Sequence, residues 1–140
     1  MLRLRQKGYC CSQIMLIGAL EAQRRTNAEL IRAVGGLCDG VGMSGEACGS
    51  LSGGACLISL YAGKGSEEEE ADERLPVMMN EFATWFREVI GEAYGGIRCD
   101  DILTRCPDKS VCGSIVAAAY AKAIEILDAH GIDLGRGKDG

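Results

Sequence analysis

Residues Ser44–Tyr61 read SGEACGSLSGGACLISLY, and the predicted fold is organised around this segment. Ser44 or Gly45 can cap a helix, Glu46 suits its first turn, and an apolar run follows. Cys48 then falls in the first turn, where unpaired backbone N–H groups and the positive end of the helix dipole favour a thiolate. We therefore expect this helix to carry part of the functional site.

The residues that follow Cys48 are unusually small. They are Gly49, Ser50, Ser52, Gly53, Gly54 and Ala55. Such residues lower helix propensity, but they allow a neighbouring backbone to approach closely. We expect other segments to pack on this helix and to bring their own cysteines towards Cys48. A close homodimer through the Gly49-x-x-x-Gly53 face is an alternative to an intramolecular contact.

The composition limits the class of protein. A chain of 140 residues is long enough to form one domain with a real core, so it does not need disulfide staples. Eight cysteines beside one histidine and two prolines then favour reduced thiols used for metal or redox chemistry. A net charge of −5 without a basic stripe argues against nucleic-acid binding.

Two segments bear on the cellular location. The longest run without charge, residues 47–63, is too short and too rich in glycine and serine to span a bilayer. Arg3, Arg5 and Lys7 before Cys10–Leu20 imitate a secretory signal, but no small-residue cleavage site follows. The sequence therefore predicts a cytoplasmic protein without a membrane-inserted segment.

Apolar periodicity predicts an all-α fold, a single-domain bundle of about five helices with a short helical turn before the last helix. The first helix is Tyr9–Gln23, the second begins at the capping box Thr26–Glu29 and frays at Gly35–Gly36, and the third is the Cys48 helix. The fourth begins at Ser66 with Glu67–Glu70 in its first turn, restarts at Pro76 and continues with an apolar stripe that includes Met78, Phe82, Phe86, Val89, Ile90 and Ala93.

The last helix is capped by Ser110 and ends at His130–Gly131, and the short turn before it begins at Cys99. The first and third helices are expected to be central, and the long fourth and last helices to cover them. Residues 1–134 are expected to form a four-cysteine helical redox domain. Residues 135–140 are expected to be a disordered tail.

Four cysteines share one position in this scheme, the first turn of a predicted helical segment. They are Cys11, Cys48, Cys99 and Cys112. Helix dipole and free N–H groups are expected to lower their pKa values, whereas the plainer interpretation is that each is a small buried hydrophobe. Neighbouring residues point about 100° apart on a helix, so only one of Cys10 and Cys11 should face the site, and Cys11 is favoured.

Local spacing identifies no common cysteine site. The chain has no C-x-x-C, which gives no support for a thioredoxin-like active site or a zinc ribbon. Cys99, Cys106 and Cys112 are separated by intervals that fit no common ligand rule. Any site must therefore be assembled by the fold.

The chain nevertheless resembles a family of redox-active proteins named for the pattern C…GCAxxG…C…C. Cys48–Gly53, CGSLSG, corresponds to the central motif, with Ser50 in place of alanine. The other family cysteines correspond to Cys11 in YCCSQ, Cys99 in GIRCDDIL, and Cys112. Four cysteines lie outside this pattern, although one of them, Cys106, could replace Cys112. They are Cys10, Cys38, Cys56 and Cys106.

Three functions are compatible with these residues, besides a plain helical interaction domain with buried thiols. In the first, Cys11, Cys48, Cys99 and Cys112 hold an iron–sulfur cluster that exchanges electrons with a redox partner protein. In the second, Cys48 or Cys112 attacks a partner in thiol–disulfide chemistry without metal. In the third, the four thiolates bind zinc. The lone His130 is expected to cap a helix end, so an independent hydrolase is not expected.

Overall fold

A computed structural model describes residues 2–138, and the side chains of residues 3–138. Over this range the chain is helical and contains no strand, which confirms the all-α prediction. The main helices are α1 Leu2–Gln6, α2 Cys11–Ala22, α3 Ala28–Val34, α4 Gly49–Ala62, α5 Leu75–Trp85, α6 Cys99–Arg105 and α7 Cys112–Ala129. These are seven helices rather than about five. The difference is α1, which was not predicted, and α6, which was predicted as a short turn.

Helix α4 occupies the centre of the fold, because α2, α5 and α7 all pack on it. Its glycines make this possible. A Cβ on Gly53 would lie 2.7 Å from the Ser12 Cα in α2, and a Cβ on Gly54 would overlap the ring of Phe82 in α5. The predicted central position of the first and third helices, here α2 and α4, is confirmed. The small-residue face is used within the chain.

Helix α5 continues through a π-helical segment, Phe86–Gly91, into a last turn at Glu92–Tyr94. Its buried side chains recur at every fourth position, and they are Met78, Phe82, Phe86 and Ile90. Val89 was expected on this stripe but is 48% exposed. The wide π turn holds more residues per turn than an α-helix, so fourth neighbours stay on the buried face and Val89 turns outward.

The predicted helix start at Ser66 is wrong, because the residues up to Arg74 form turns and α5 begins at Leu75. The Glu69 carboxylate accepts hydrogen bonds from the N–H groups of Gly65 and Ser66. This contact between the Glu69 side chain and the backbone closes a turn where the first turn of a helix was predicted.

Other helix starts lie one or two residues from their predicted positions. Asn27, not Thr26, caps α3, and its Oδ1 accepts the Leu30 N–H at 3.0 Å. Ser110 does not cap α7, because this helix begins at Cys112. The Ser110 N–H instead donates to the Asp108 carboxylate at 3.0 Å.

The C-terminal segment packs against the end of α4 and the turn that follows it. The Tyr61 hydroxyl donates to the Leu134 carbonyl at 2.7 Å, and the Lys138 ammonium donates to the carbonyls of Gly63 and Glu70. A disordered tail was expected from Gly135. Its last two residues, 139–140, lie outside the described part of the chain. No helix within residues 2–138 has the length and apolar character needed to cross a membrane.

The close contact between Gly54 and Phe82 leads to a first prediction. We expect Gly54→Ala to lower the free energy of unfolding by about 1–3 kcal/mol, because the buried ring must move to admit a methyl group. Urea unfolding followed by Trp85 fluorescence measures the change. Gly36→Ala is the control, since a Cβ there meets nothing within 4 Å, and its effect should stay within about 0.5 kcal/mol. Equal effects of the two variants would contradict the packing described.

Candidate four-cysteine site

The four cysteines singled out by the sequence all lie at helix starts. Cys11, Cys99 and Cys112 are the first residues of α2, α6 and α7, and Cys48 is the residue that precedes α4. This placement confirms the prediction from helix position. The start of α4 differs slightly, because Cys48 itself, rather than Ser44 or Gly45, occupies the capping position.

A short antiparallel contact joins the segments that carry Cys48 and Cys99. The Cys48 N–H donates to the Ile97 carbonyl at 2.9 Å, and the Cys99 N–H donates to the Glu46 carbonyl at 2.7 Å. Ala47 and Arg98 form the bridge pair between these two bonds. Cys48 and Cys99, which are 51 positions apart in the sequence, are therefore held side by side by backbone hydrogen bonds. These bonds do not involve the two thiols.

One small cavity, of about 30 Å³, is lined by all four of these cysteines. The remaining lining residues are Asp39, Gly49, Ser50, Ile102, Leu103 and Ile115. Cys106 is not among them, and its Sγ lies 3.4 Å from the Ser110 Oγ. A larger groove of about 530 Å³, lined by residues of α1, α2 and α3, lies away from the cysteines.

Cys11 lies near the other three thiols. Burial is the main cause of the raised pKa of each of Cys48, Cys99 and Cys112, and the neighbouring Cys11 adds to the increase. Across residues 2–138, however, no three His, Cys, Asp or Glu side chains are arranged to hold a metal ion. The fold thus brings four thiols to one place without turning all their sulfurs towards a common point.

Burial dominates the acidity of the central thiol. Removal from water raises the pKa of Cys48 to about 11, and the N–H and hydroxyl of Ser50 only partly oppose this increase. The expectation of a lowered pKa is wrong because desolvation of the charged form outweighs the hydrogen bonds and dipole at the helix start.

Two cations lie close to the more exposed thiols. Burial raises the pKa of Cys112, and the Arg5 and Lys109 charges oppose the increase. Burial also raises the pKa of Cys99, with a further increase from Asp39 and a decrease from Lys109. Lys109 and Asp39 themselves pair at 3.7 Å. Cys48, Cys99 and Cys112 are therefore neutral thiols near neutral pH, and the nearby positive charges would offset negative charge formed on Cys99 or Cys112.

Ser50 is the polar residue of the cavity that lacks a partner. Its side chain is completely buried, and its Oγ makes no hydrogen bond to any residue in the described range. The hydroxyl nevertheless acts to lower the pKa of Cys48, so it lies where a thiolate of Cys48 could accept from it. A buried hydroxyl without a partner costs stability in the thiol form of the site.

Sequence reasoning missed the pairing of the two cysteines that flank this site. Cys10 and Cys38 form a disulfide, with their Cα atoms 5.8 Å apart. The other cysteines are free, and they are Cys11, Cys48, Cys56, Cys99, Cys106 and Cys112. The separation of Cys10 and Cys38 by 28 positions gives no sign of a bond. The only hint is that Cys10 must face away from Cys11 on the helix.

His130 has a role remote from the cysteines. It lies directly after α7, and its Nε2 is 2.9 Å from the Glu81 Oε1 on α5. The imidazole thus links the end of the last helix to α5.

Comparison with known proteins identifies the family of this chain. The family described as "Putative redox-active protein (C_GCAxxG_C_C)" matches residues 9–126. The chain belongs to this family. No curated protein and no solved structure matches the chain. The family is described as redox-active, and the four cysteines that the sequence analysis assigned to its pattern are the four that line the cavity.

The raised pKa of Cys48 leads to a second prediction, on the metal-free protein. The unfolded thiol ionises near pH 9 and the folded one near 11, so between these values the unfolded state loses its proton first. Stability contributed by the protonated thiol is then lost as the pH rises, by about 2–3 kcal/mol. Serine does not titrate in this range. The difference in unfolding free energy between wild type and Cys48→Ser should therefore fall from pH 8.5 to 11 by about that amount. A difference independent of pH would contradict the burial effect.

A third prediction concerns the buried Ser50 hydroxyl. We expect Ser50→Ala to raise the unfolding free energy of the metal-free protein by about 1 kcal/mol, because it removes an unpaired polar atom from the interior. Urea denaturation measures the change. Ser59→Ala is the matched control, since Ser59 lies on the same helix but is exposed, so this variant corrects for helix propensity. A destabilised Ser50→Ala would show that the hydroxyl has a partner.

Proposed function

We propose that this protein is an electron carrier that holds an iron–sulfur cluster with the thiolates of Cys11, Cys48, Cys99 and Cys112. The observation that carries the proposal is the single cavity lined by all four thiols, each supplied by a different helix start. Membership of a redox-active family supports it independently. Soft thiolate ligands in a set of four suit iron–sulfur clusters and zinc, and of these only iron–sulfur chemistry exchanges electrons.

The donor set fits the cluster in number and type, whereas the cavity is small. About 30 Å³ is roughly the volume of a water molecule, so a cluster requires the sulfurs to turn inward and one wall to move. The wall formed by the backbone around Asp39 is a loop, whereas Ile102 and Ile115 belong to helices. We therefore expect the loop to yield when the site is filled.

When bound, a cluster supplies one-electron transfer at a potential that its surroundings set. The chain's own residues would determine those surroundings. Ile102, Leu103 and Ile115 exclude water from one side of the site. Arg5 and Lys109 offset the negative charge of the thiolates, and the N–H groups of Ser50 and Leu51 face the Cys48 sulfur. Formation of metal–thiolate bonds also removes the protons whose loss burial makes unfavourable.

Cellular setting and partner belong to the same proposal. Six free cysteines support a reducing, cytoplasmic environment. The electron donor or acceptor in this proposal is a redox partner protein, because a cluster held by four cysteines that are buried or half-buried would exchange electrons through the protein surface.

Thiol–disulfide chemistry without metal is the second candidate. The Cys10–Cys38 disulfide favours it, since it shows that the fold brings cysteines within bonding distance. In this case Cys48 or Cys112 would be the attacking group. The raised pKa values of both thiols make them poor nucleophiles near neutral pH, so the cluster is preferred.

The fourth prediction tests these alternatives on one anaerobically purified sample. We expect visible charge-transfer absorption with matching iron and acid-labile sulfide, and loss of both in Cys48→Ser. Cys56→Ser is the control, because Cys56 is free but does not line the cavity, and it should retain iron.

Three other results would contradict the cluster. A colourless protein without iron after anaerobic reconstitution would exclude it. Stoichiometric zinc in that protein would indicate a zinc–thiolate site. A reversible change of two thiols, without metal, would indicate the dithiol mechanism instead.

A further inference from the structure

The disulfide Cys10–Cys38 lies beside the four-cysteine site but does not belong to it. Cys10 precedes Cys11 at the start of α2, and Cys38 follows the 3₁₀ turn Gly35–Leu37. Neither residue corresponds to a cysteine of the family pattern. A domain of this size does not need a staple for stability, and six other cysteines remain free. A lone disulfide in such a thiol-rich chain is typical of a redox-responsive bond rather than a structural one.

The bond anchors a loop, residues 39–45, whose backbone is unusually constrained. Three of its residues that are not glycine have left-handed φ values, 55° at Asp39, 63° at Val41 and 70° at Met43. Its three glycines are left-handed as well, and they are Gly40, Gly42 and Gly45. A left-handed β-branched residue such as Val41 persists only where the surroundings enforce it.

The contacts that hold this conformation lie at the two ends of the loop. At one end the Cys38 carbonyl accepts the N–H groups of Gly42 and Met43, at 2.8 and 3.3 Å, and Asp39 pairs with Lys109 at 3.7 Å. At the other end the Glu46 N–H donates to the Gly40 carbonyl at 3.0 Å, and the Asp100 N–H donates to the Gly45 carbonyl at 3.3 Å. The tip contributes little, because Met43 is 83% exposed. The disulfide at Cys38 adds a covalent restraint at the first end of the loop.

This loop forms one wall of the four-cysteine cavity. Asp39 lines the cavity directly. The Gly40 backbone packs so closely that a Cβ there would lie 2.9 Å from the Cys99 Cβ. Whatever frees the loop must therefore expose Cys99 and widen the cavity on that side.

Ser12 is placed to stabilise the reduced form of the pair. Its buried Oγ lies 3.3 Å from the Cys10 Sγ and 3.6 Å from the Cys38 Sγ, and donates its own proton to the Val34 carbonyl at 2.8 Å. The disulfide has no proton to offer to this oxygen. After reduction, either S–H can donate to a free lone pair of Ser12.

From these observations we propose that Cys10–Cys38 is a second redox site, which a dithiol reductant opens, and that its reduction releases the loop 39–45 from the four-cysteine cavity. One thiolate of the reductant attacks a sulfur of the pair, forming a mixed disulfide and releasing the other cysteine as a thiol. The second thiol of the reductant then displaces the remaining cysteine. Two electrons and two protons pass to Cys10 and Cys38, and the reductant leaves as a disulfide.

The existence of this second site does not depend on what the four cysteines bind. Its consequence for that site, access to Cys99 and room for a larger group, rests on the proposed function. The cavity is small while the Cys10–Cys38 disulfide is intact. The oxidised pair would therefore hinder insertion of a cluster, and the reduced pair would permit it.

The test uses the wild-type, metal-free protein equilibrated in mixtures of reduced and oxidised dithiothreitol. Acid quenching, alkylation and mass spectrometry report the state of Cys10 and Cys38, while amide hydrogen exchange is followed across residues 39–45. We expect the pair to be reduced while the protein stays folded. Loop exchange and the maleimide labelling rate of Cys99 should then both rise on the order of tenfold, with α7 unchanged.

Cysteine variants distinguish the effect of losing the Cys10–Cys38 bond from any other effect of the reductant. Cys10→Ser and Cys38→Ser should each show the fast loop exchange whether or not reductant is present, whereas Cys106→Ser should respond as wild type does. A pair that is reduced only when the whole chain unfolds would overturn the proposal, as would a reduced pair whose loop exchanges no faster. Iron analysis of Cys48→Ser fails or succeeds independently of these measurements, so the two proposals can be told apart.

Discussion

Helix α4 lies unusually close to α2, and this contact positions the cysteines at the two helix starts. Glycine at position 53 lets the Ser12 backbone lie against α4, and glycine at 54 admits the Phe82 ring on another side. A larger residue at either position would separate the helices and carry Cys11 away from Cys48. The low helix propensity of this segment is therefore offset by packing, which buries its small face on both sides.

This packing makes a site of neutral thiols rather than of thiolates. The start of a helix favours negative charge, but the same close packing removes water from Cys48, and desolvation is the larger effect. A cation bound by all four sulfurs would reverse the balance, because it replaces the protons and supplies the charge that burial demands. Cys48, Cys99 and Cys112 are consequently poor nucleophiles near neutral pH, and an anionic Cys48 would give the unpaired Ser50 hydroxyl an acceptor.

The walls of the site differ in how firmly they are held. Ile102 and Ile115 belong to helices that are packed into the core, and Cys48 and Cys99 are fixed through the backbone bridge at Ala47 and Arg98. The loop on the Asp39 side has left-handed residues and an exposed tip, and its hydrogen bonds lie at its two ends. Adaptability is thus concentrated on one side of the cavity, next to the one disulfide of the described chain.

Local patterns were enough to predict the helical class, the central position of the Cys48 helix and the four cysteines at helix starts, because periodicity, capping residues and runs of small residues are read from neighbouring positions. The local errors are at Ser66, where the Glu69 carboxylate closes a turn instead of a helix, and at Val89, which the π turn rotates outward. The folded structure was needed to show that the four cysteines share one cavity from which Cys106 is excluded, that burial raises the pKa of Cys48, and that Cys10 pairs with Cys38. Each of these depends on distances and desolvation between segments far apart in the chain, and no local pattern of residues encodes them.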